Sequence, residues 1–193
     1  DQGRTGDDTV IARRMNRKIL PFEVIPADDG SERDMRLAGR LAKIIEVEKP
    51  DLLVLDTTNE HGAMDRLHEL GYSKRLVKGL HFGEKAIDPQ RHRNMRVQMH
   101  CDFREWFQDP DVSIPNDQQF LAEIGAIPVE KESSNQVKYL VSKDDIKKDL
   151  GWSPNKLDAA ILTFAYPVRK KITLDNSKKA GILNTEVKFK STL

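Results

Sequence analysis

The chain has 193 residues, which suffices for one well-covered domain with or without a tail. Charged residues make up 33% of it, but acidic and basic side chains nearly cancel, giving a formal net charge of +1. The overall charge therefore does not single out a nucleic-acid partner, and only local clusters could do so. No apolar run is long enough to span a membrane, and a single cysteine excludes an internal disulfide and a cysteine-based zinc site.

The amino-terminal third predicts an antiparallel meander followed by a helix. The predicted elements are a Gly-rich turn over 1–8, strands over 9–13 and 19–25, and a helix from about 32 to 48. Pro21 places the start of the second strand at an edge or a bulge, because proline lacks a backbone donor. Ser31 is a suitable helix cap. The chain opens on Asp1 without a Met, so we expect it to be a piece of a longer protein.

A short apolar run follows this helix and ends abruptly on an acid. Residues 52–55 are apolar and Asp56 comes directly after them. A continuous apolar run of this length is typical of a strand buried on both faces of a helix-covered sheet. Open α/β sheets bind their ligands at the carboxyl ends of their strands, so Asp56 is a candidate functional residue.

The remainder of the chain predicts mostly helices. In order these are a helix over 60–70, a strand over 75–82, helices over about 89–107 and 117–125, a hairpin of 127–132 with 137–141, a helix after Ser142 and a last helix after Ser153. A methionine and phenylalanine stripe recurs every four residues in the long helix and indicates core packing. From residue 167 to 193 basic residues dominate and the apolar period is lost, which indicates a basic tail.

The order of elements matches the first half of an RNase H/RuvC-like α/β fold, with a mixed five-stranded central sheet flanked by helices and an extra β-hairpin. In that arrangement the fourth strand lies beside the first, so Asp1 and Asp56 would be neighbours. Asp158 lies in the first turns of the last helix, where an acid also favours the helix dipole. Small neighbours allow that helix to approach the sheet closely, which would bring a third carboxylate over the strand ends.

Clustered carboxylates need a cation, and hard oxygen ligands suit Mg²⁺ or Mn²⁺. Two such ions can support phosphodiester hydrolysis. Asp7 is a further candidate ligand, although an acid in a Gly-rich turn is more often turn chemistry.

The same segments resemble the nuclease motifs of the large terminase subunit of tailed bacteriophages. The segments that carry this resemblance are 1–12 for the first motif, 53–57 with 62–71 for the second, 142–148 with 153–164 for the third, and the helix over 93–107. The similarity extends from residue 1 to about 166, which we take as the nuclease domain. It implies an RNase H-like endonuclease that uses two Mg²⁺ or Mn²⁺ ions to cut concatemeric double-stranded viral DNA with little sequence preference. It carries the catalytic and metal-binding roles onto Asp1, Asp56 and Asp158.

The resemblance also implies the partners. These are double-stranded DNA, the ATPase domain of the same full-length protein, the portal protein and the small terminase subunit, in the host bacterial cytoplasm and with no membrane contact. The sequence departs from the family in two ways. The apolar strand that precedes the first acid is not in this chain, and no phosphate-binding G-x-x-x-x-G-K-[ST] motif occurs, so we expect no ATPase activity.

Basic residues near the acids are candidates for sequence-independent contact with the DNA backbone. They are Arg4, Arg14, Lys143, Lys147 and Lys148. For any one of them a solvated charged edge is the more ordinary explanation. Two other functions stay open: a different RNase H-like nuclease, such as a junction resolvase or an integrase type, and a non-catalytic module that docks on DNA or on the portal.

Overall fold

The computed structural model describes residues 8–27, 32–58, 61–127, 131–132, 137–140 and 143–168, and the structure below is that of these residues. Several predicted features lie outside them: Asp1, Arg4, Asp7, the cap at Ser31, and all but the first two residues of the predicted tail.

Strands and helices follow one another in the order of an α/β domain. The elements are β1 (Thr9–Ile11), β2 (Arg14–Met15), β3 (Lys18–Ile19), β4 (Glu23–Ile25), α1 (Arg33–Glu48), β5 (Leu53–Asp56), α2 (Gly62–Glu69), β6 (Val77–Leu80), α3 (Met95–Phe107), α4 (Gln118–Gly125), β7 (Lys131–Glu132), β8 (Lys138–Tyr139), α5 (Lys143–Leu150) and α6 (Asn155–Leu162). The predicted α/β class and the predicted hairpin, here β7–β8, are both present.

The strands of the described residues form four pairs in place of one continuous five-stranded sheet. Strands β1–β4, β2–β3 and β7–β8 pair antiparallel, and β5–β6 pair in parallel with Asp56 opposite Leu80. The strand predicted over 19–25 is interrupted between Ile19 and Glu23. Pro21 lies in this interruption, and its missing N–H is the physical reason that a ladder does not run through it.

Helices α3 and α2 begin two or more residues later than their hydrophobic period predicted. Helix α3 begins at Met95, because the Asn94 side chain accepts a hydrogen bond from the Val97 backbone N–H at 3.0 Å and caps the helix there. The residues from 89 to 94 form turns and an isolated bridge instead of a first helical turn. Helix α2 begins at Gly62, two residues after the predicted start.

Two apolar clusters lie on either side of β5. The first joins α3, α4 and α6 and contains Met99, Phe103 and Phe120 among others, and the second joins α1 and α2. Val54 packs against the first cluster, whereas Leu53 and Leu55 pack against the second. The expected packing on both faces of β5 is confirmed, although each of its apolar side chains stays half-buried.

The predicted core stripe of α3 is confirmed for three of its four members. Met95, Met99 and Phe103 are buried, and Phe107 is 40% exposed at the end of the helix. Within the described part of the chain, no helix combines the length and the apolar character needed to cross a membrane.

Helix α6 packs against elements from both halves of the structure. It contacts α3 and α4 on one side and strands β1 and β5 on the other. Its buried face consists of Leu157, Ala160 and Ile161, none more than 1% exposed. The predicted approach of this helix to the sheet is present, because α6 contacts both β1 and β5.

Candidate active site

Asp56 is the exposed last residue of β5, and its carboxylate is held in a defined orientation. One carboxylate oxygen, Oδ1, accepts hydrogen bonds from the backbone N–H of Thr58, at 2.9 Å, and from the Thr58 hydroxyl. The same hydroxyl oxygen accepts from the Phe82 backbone N–H at 3.3 Å, in the loop after β6. Thr58 therefore ties the carboxylate to the ends of both parallel strands.

The residues that pack against the end of β5 are tightly packed. Thr57 is only 6% exposed. A Cβ atom added to Gly79 on β6 would lie 2.7 Å from the Thr57 methyl carbon and 2.8 Å from the Met64 sulfur. The Gly79 carbonyl also accepts a hydrogen bond from the Tyr166 hydroxyl at 3.2 Å. The end of β5 is thus rigidly supported, which a precisely placed ligand set requires.

Asp158 lies on α6 and is buried, with 8% of its surface exposed. Two charged side chains act on it from neighbouring helices, Arg96 of α3 and Glu123 of α4. Burial lowers the pKa of the Arg96 guanidinium, and the negative charge of Asp158 opposes that fall. Burial raises the pKa of Glu123, and the charge of Asp158 adds to the rise. Asp158 therefore interacts electrostatically with both the half-buried Arg96 and the buried Glu123.

A buried histidine, His100, lies close to Arg96. Burial, and then the positive charge of Arg96, lower the pKa of His100 to about 3. His100 is therefore neutral near pH 7 and adds no positive charge beside Arg96.

Side chains from other elements hold α6 at both of its ends. At the start, one Glu123 carboxylate oxygen accepts from the Leu157 backbone N–H at 2.8 Å. At the other end, the Arg14 guanidinium donates to the Thr163 hydroxyl at 3.0 Å and to its carbonyl at 2.8 Å, and it lies 4.1 Å from the centre of the Phe164 ring. An acid at the amino end and a cation at the carboxyl end both complement the helix dipole.

The cap of α6 differs from the one predicted. Ser153 was expected to cap a helix that begins at Pro154, but the helix begins at Asn155 and its N-cap residue, Pro154, makes no capping side-chain bond. Glu123 supplies a carboxylate to the first turn instead. A residue distant in sequence can cap a helix when tertiary packing places it there, and local sequence does not reveal this.

The two described acids suit a hard divalent cation but do not complete a site between them. Carboxylate oxygens are the ligands that Mg²⁺ and Mn²⁺ prefer. Asp56 ends β5, and Asp158 lies on the helix that contacts β5. Among the described residues, no group of three or more His, Cys, Asp or Glu side chains is placed to hold a metal. The third predicted acid, Asp1, and the additional candidate Asp7 lie outside the described residues, so the convergence of all three stays a prediction.

The basic candidates differ in what surrounds them. Arg14 uses its Nε and Nη2 atoms inside the protein, and burial lowers its pKa. Lys147 and Lys148 project from α5, and the Lys148 ammonium lies 3.6 Å from the Asp145 carboxylate on an exposed face. The side chain of Lys143 and the whole of Arg4 are outside the described part of the structure. Contact of any of these five with DNA stays a prediction.

Two residues with a clear role at the site were not among the sequence candidates. Thr58 orients Asp56, and Glu123 holds the turn that carries Asp158. Thr58 follows Asp56 by two residues, and this local Asp-x-Thr pattern could have indicated an Asx-type turn. Glu123 had no such pattern. It occupies a fully buried position of α4, whereas Leu121 of the same helix is 41% exposed.

The described residues form an α/β domain in which Asp56 ends a parallel strand and Asp158 lies on a helix that contacts this strand. Comparison of the sequence with protein-family models and with curated proteins returns no significant match. Comparison of the structure with solved structures does return significant matches. The nuclease domain of the large terminase subunit gp2 of bacterial virus Sf6 superposes with a TM-score of 0.62 at 17% identity, over 84% of this chain and 90% of that one.

A variant of the same Sf6 domain, solved with manganese and β-thujaplicinol, superposes with a TM-score of 0.65 at 18% identity, over 84% of each chain. Another structure from that subunit contains calcium. At these identities the likeness establishes the fold, and the resemblance to large terminase nuclease domains that the sequence motifs indicated is confirmed at that level.

Proposed function

We propose that this chain is the nuclease domain of a large terminase subunit, a divalent-metal-dependent endonuclease that cuts concatemeric double-stranded viral DNA during genome packaging. The observation that carries the proposal is the placement of Asp56 and Asp158 within a fold shared with the Sf6 nuclease domain. One acid stands at the carboxyl end of a parallel strand, and the other is buried on the helix packed against that strand.

The acids have distinct roles in this proposal. Asp56 presents a carboxylate whose Oδ1 is fixed by Thr58, so its orientation does not have to be found when a ligand binds. Asp158 presents a desolvated carboxylate whose negative charge acts strongly in its buried surroundings. Asp1 is the third acid by its position in the motif. When bound, two Mg²⁺ or Mn²⁺ ions would supply activation of water and stabilisation of the leaving oxygen.

The substrate and partners follow from the same proposal. Basic residues around the acids, with the predicted basic tail over 167–193, would hold the phosphate backbone without reading bases, which gives little sequence specificity. The remaining partners would be the ATPase domain of the full-length protein, the portal protein and the small terminase subunit, and the protein would work in the host bacterial cytoplasm. ATP hydrolysis is not expected of this chain.

The proposal is tested by nicking of supercoiled plasmid in the presence of Mn²⁺ or Mg²⁺. We expect cleavage by the parent protein, none with EDTA, and a loss of at least about a hundredfold in Asp56→Asn and Asp158→Asn, because each carboxylate belongs to the metal site. Arg17→Ala, which removes an exposed side chain paired with Asp109 and Asp111, is the control and should cut normally.

The preferred DNA substrate distinguishes a packaging nuclease from other nucleases of the same fold. Linear duplex that is cut as readily as branched DNA agrees with a packaging nuclease, whereas strong preference for a four-way junction would favour a resolvase. Equal cleavage by both acid variants and the parent would refute the role given to these two acids, whereas no cleavage by the parent would favour a non-catalytic docking module.

A further inference from the structure

Glu123 is a fully buried acid for which the proposed metal chemistry has no direct use. It is 0% exposed, on the inner face of α4. Burying a carboxylate is costly unless hydrogen bonds compensate, so its presence in the core needs a reason. Three donors surround it: the Leu157 backbone N–H at 2.8 Å, the Gln119 side-chain amide at 3.0 Å, and the Trp152 indole.

The strongest of these contacts places Glu123 one residue from Asp158. Leu157 lies in the first turn of α6, and the backbone N–H groups of a first turn have no partner within their own helix. The Glu123 carboxylate accepts one of them across the interface between α4 and α6. The next side chain along the helix is Asp158, whose carboxylate is close enough to Glu123 for the two charges to interact.

A second contact fixes the same interface from the other direction. The Lys156 ammonium lies 2.6 Å and 2.9 Å from the two carboxylate oxygens of Asp117, which is also the N-cap residue of α4. Two polar contacts therefore join α4 to the first turn of α6: Glu123 in the last turn of α4 accepts from the Leu157 N–H, and Lys156 of α6 binds the N-cap residue of α4, Asp117. This pair limits both sliding and rotation of α6.

We infer that Glu123 is a positioning residue for Asp158: its hydrogen bond to Leu157 sets the rotation of α6 and thereby the direction in which the Asp158 carboxylate meets a divalent cation. The inference rests on the proposed function, since it gives Glu123 a role toward that metal site. Residues that orient metal ligands affect affinity or activity by about 10- to 100-fold when removed, although they do not touch the ion.

The test compares Glu123→Ala, Glu123→Asp and Glu123→Gln with Leu41→Ala. Glu123→Ala removes the hydrogen-bond acceptor, and Glu123→Asp keeps a carboxylate on a side chain that is one methylene shorter. Glu123→Gln keeps an oxygen at the same reach, and its new amide group can be accommodated if the Gln119 amide turns over. Leu41 is 4% exposed in the second apolar cluster on α1, so its truncation destabilises the fold without touching α6.

Three quantities are measured on each folded variant: the Mn²⁺ dissociation constant by calorimetry, the hydrogen exchange rate of the Leu157 amide, and the cleavage rate at saturating Mn²⁺. We expect Glu123→Ala and Glu123→Asp to exchange the Leu157 amide faster and to bind Mn²⁺ about tenfold more weakly. Glu123→Gln should stay close to the parent protein in both measurements, and Leu41→Ala should keep its Mn²⁺ affinity. If Glu123→Ala does not fold, Glu123→Asp carries the same comparison.

Two outcomes overturn the inference while the proposed function stands. One is faster Leu157 exchange with unchanged Mn²⁺ affinity, which would make Glu123 a purely structural residue. The other is a Glu123→Gln protein that binds Mn²⁺ as weakly as Glu123→Ala, which would mean that the charge and not the hydrogen bond matters. A parent protein that binds no Mn²⁺ would instead refute the proposed function, and the positioning role would fall with it.

Discussion

Glu23 offers a quantitative test of how β4 is attached to α1. Its carboxylate accepts hydrogen bonds from Arg40 on α1, through Nε and Nη2, and from Arg13 through Nη2 at 2.9 Å. Arg13 also donates to Glu48 near the end of α1, at 2.8 Å to one carboxylate oxygen. The perturbation is Glu23→Gln, which keeps the shape of the side chain and removes its charge.

The magnitude follows from the pKa of Glu23. The hydrogen bond from Arg40 is the largest cause, and together with the bond and charge of Arg13 it lowers the pKa from 4.5 to about 2 against the effect of burial. A difference of this size corresponds to about 3 kcal/mol, since one pKa unit is worth about 1.4 kcal/mol. The side chain is 25% exposed, so solvent screening reduces the contribution, and we expect about 1–2 kcal/mol.

The sign of the pH dependence is fixed by the direction of the pKa change. Because the pKa is lower in the folded state, the ionised carboxylate stabilises the fold above about pH 4.5. That contribution is lost as the pH falls from 4.5 towards 2, where the folded protein also takes up the proton.

Urea unfolding at several pH values between 7 and 3 measures this directly. Glu23→Gln should lower the free energy of unfolding by about 1–2 kcal/mol at pH 7, and the difference from the parent protein should shrink steadily below pH 4.5. Glu69→Gln is the control, because Glu69 is 65% exposed and pairs with Arg66 of the same helix, one turn away. A difference that does not change with pH, or none at pH 7, would refute the role given to the charge of Glu23.

Three further predictions concern the site and the tail. Gly79→Ala should destabilise the protein by about 1–3 kcal/mol in urea unfolding, because its Cβ would lie 2.7 Å from the Thr57 methyl carbon; an unchanged midpoint would contradict that packing. Arg14→Ala should cost about 1.5–3 kcal/mol through lost charged hydrogen bonds to the end of α6, whereas the exposed Arg17→Ala should cost little; equal effects would contradict the internal role of Arg14. Truncation after Tyr166 should weaken duplex binding in low salt and flatten its salt dependence in a filter-binding assay; unchanged binding would exclude the tail from DNA contact.

Local sequence pattern predicted the elements better than it predicted their connections. The apolar run that ends on Asp56, the four-residue stripe of α3 and the Ser-Pro start of α6 all depend on neighbours in the chain, and the structure has a strand or helix at each place. Even there the boundaries moved, because Asn94 supplies a better cap than the residues before it. A hydrophobic period indicates which face of a helix is buried, but it does not indicate the residue at which the helix begins or ends.

The support of the site could not be predicted in the same way. Glu123 is 34 residues from Leu157, and Arg14 is 149 residues from Thr163. Both are charged side chains that sequence reasoning assigns to the surface by default, since charged groups are rarely buried unless paired. Their partners include backbone atoms at the ends of α6, which are brought within reach only after the chain has folded.

The continuous sheet is the other part that sequence alone did not predict correctly for the described residues. The predicted strand over 19–25 assumed that β-forming residues on either side of Pro21 act together. The structure keeps Glu23–Ile25 in register with β1 and leaves the residues around Pro21 outside the ladder.

The most direct test of the central claim is the anomalous scattering of Mn²⁺ in crystals of the protein soaked with that ion. We expect manganese at about 2 Å from carboxylate oxygens of both Asp56 and Asp158, as direct coordination by hard oxygen ligands requires. The peak should weaken or vanish in Asp158→Asn crystals grown under the same conditions. Manganese that contacts neither acid, in a protein that still cuts DNA when Mn²⁺ is added, would contradict the claim that these two residues form the catalytic metal site.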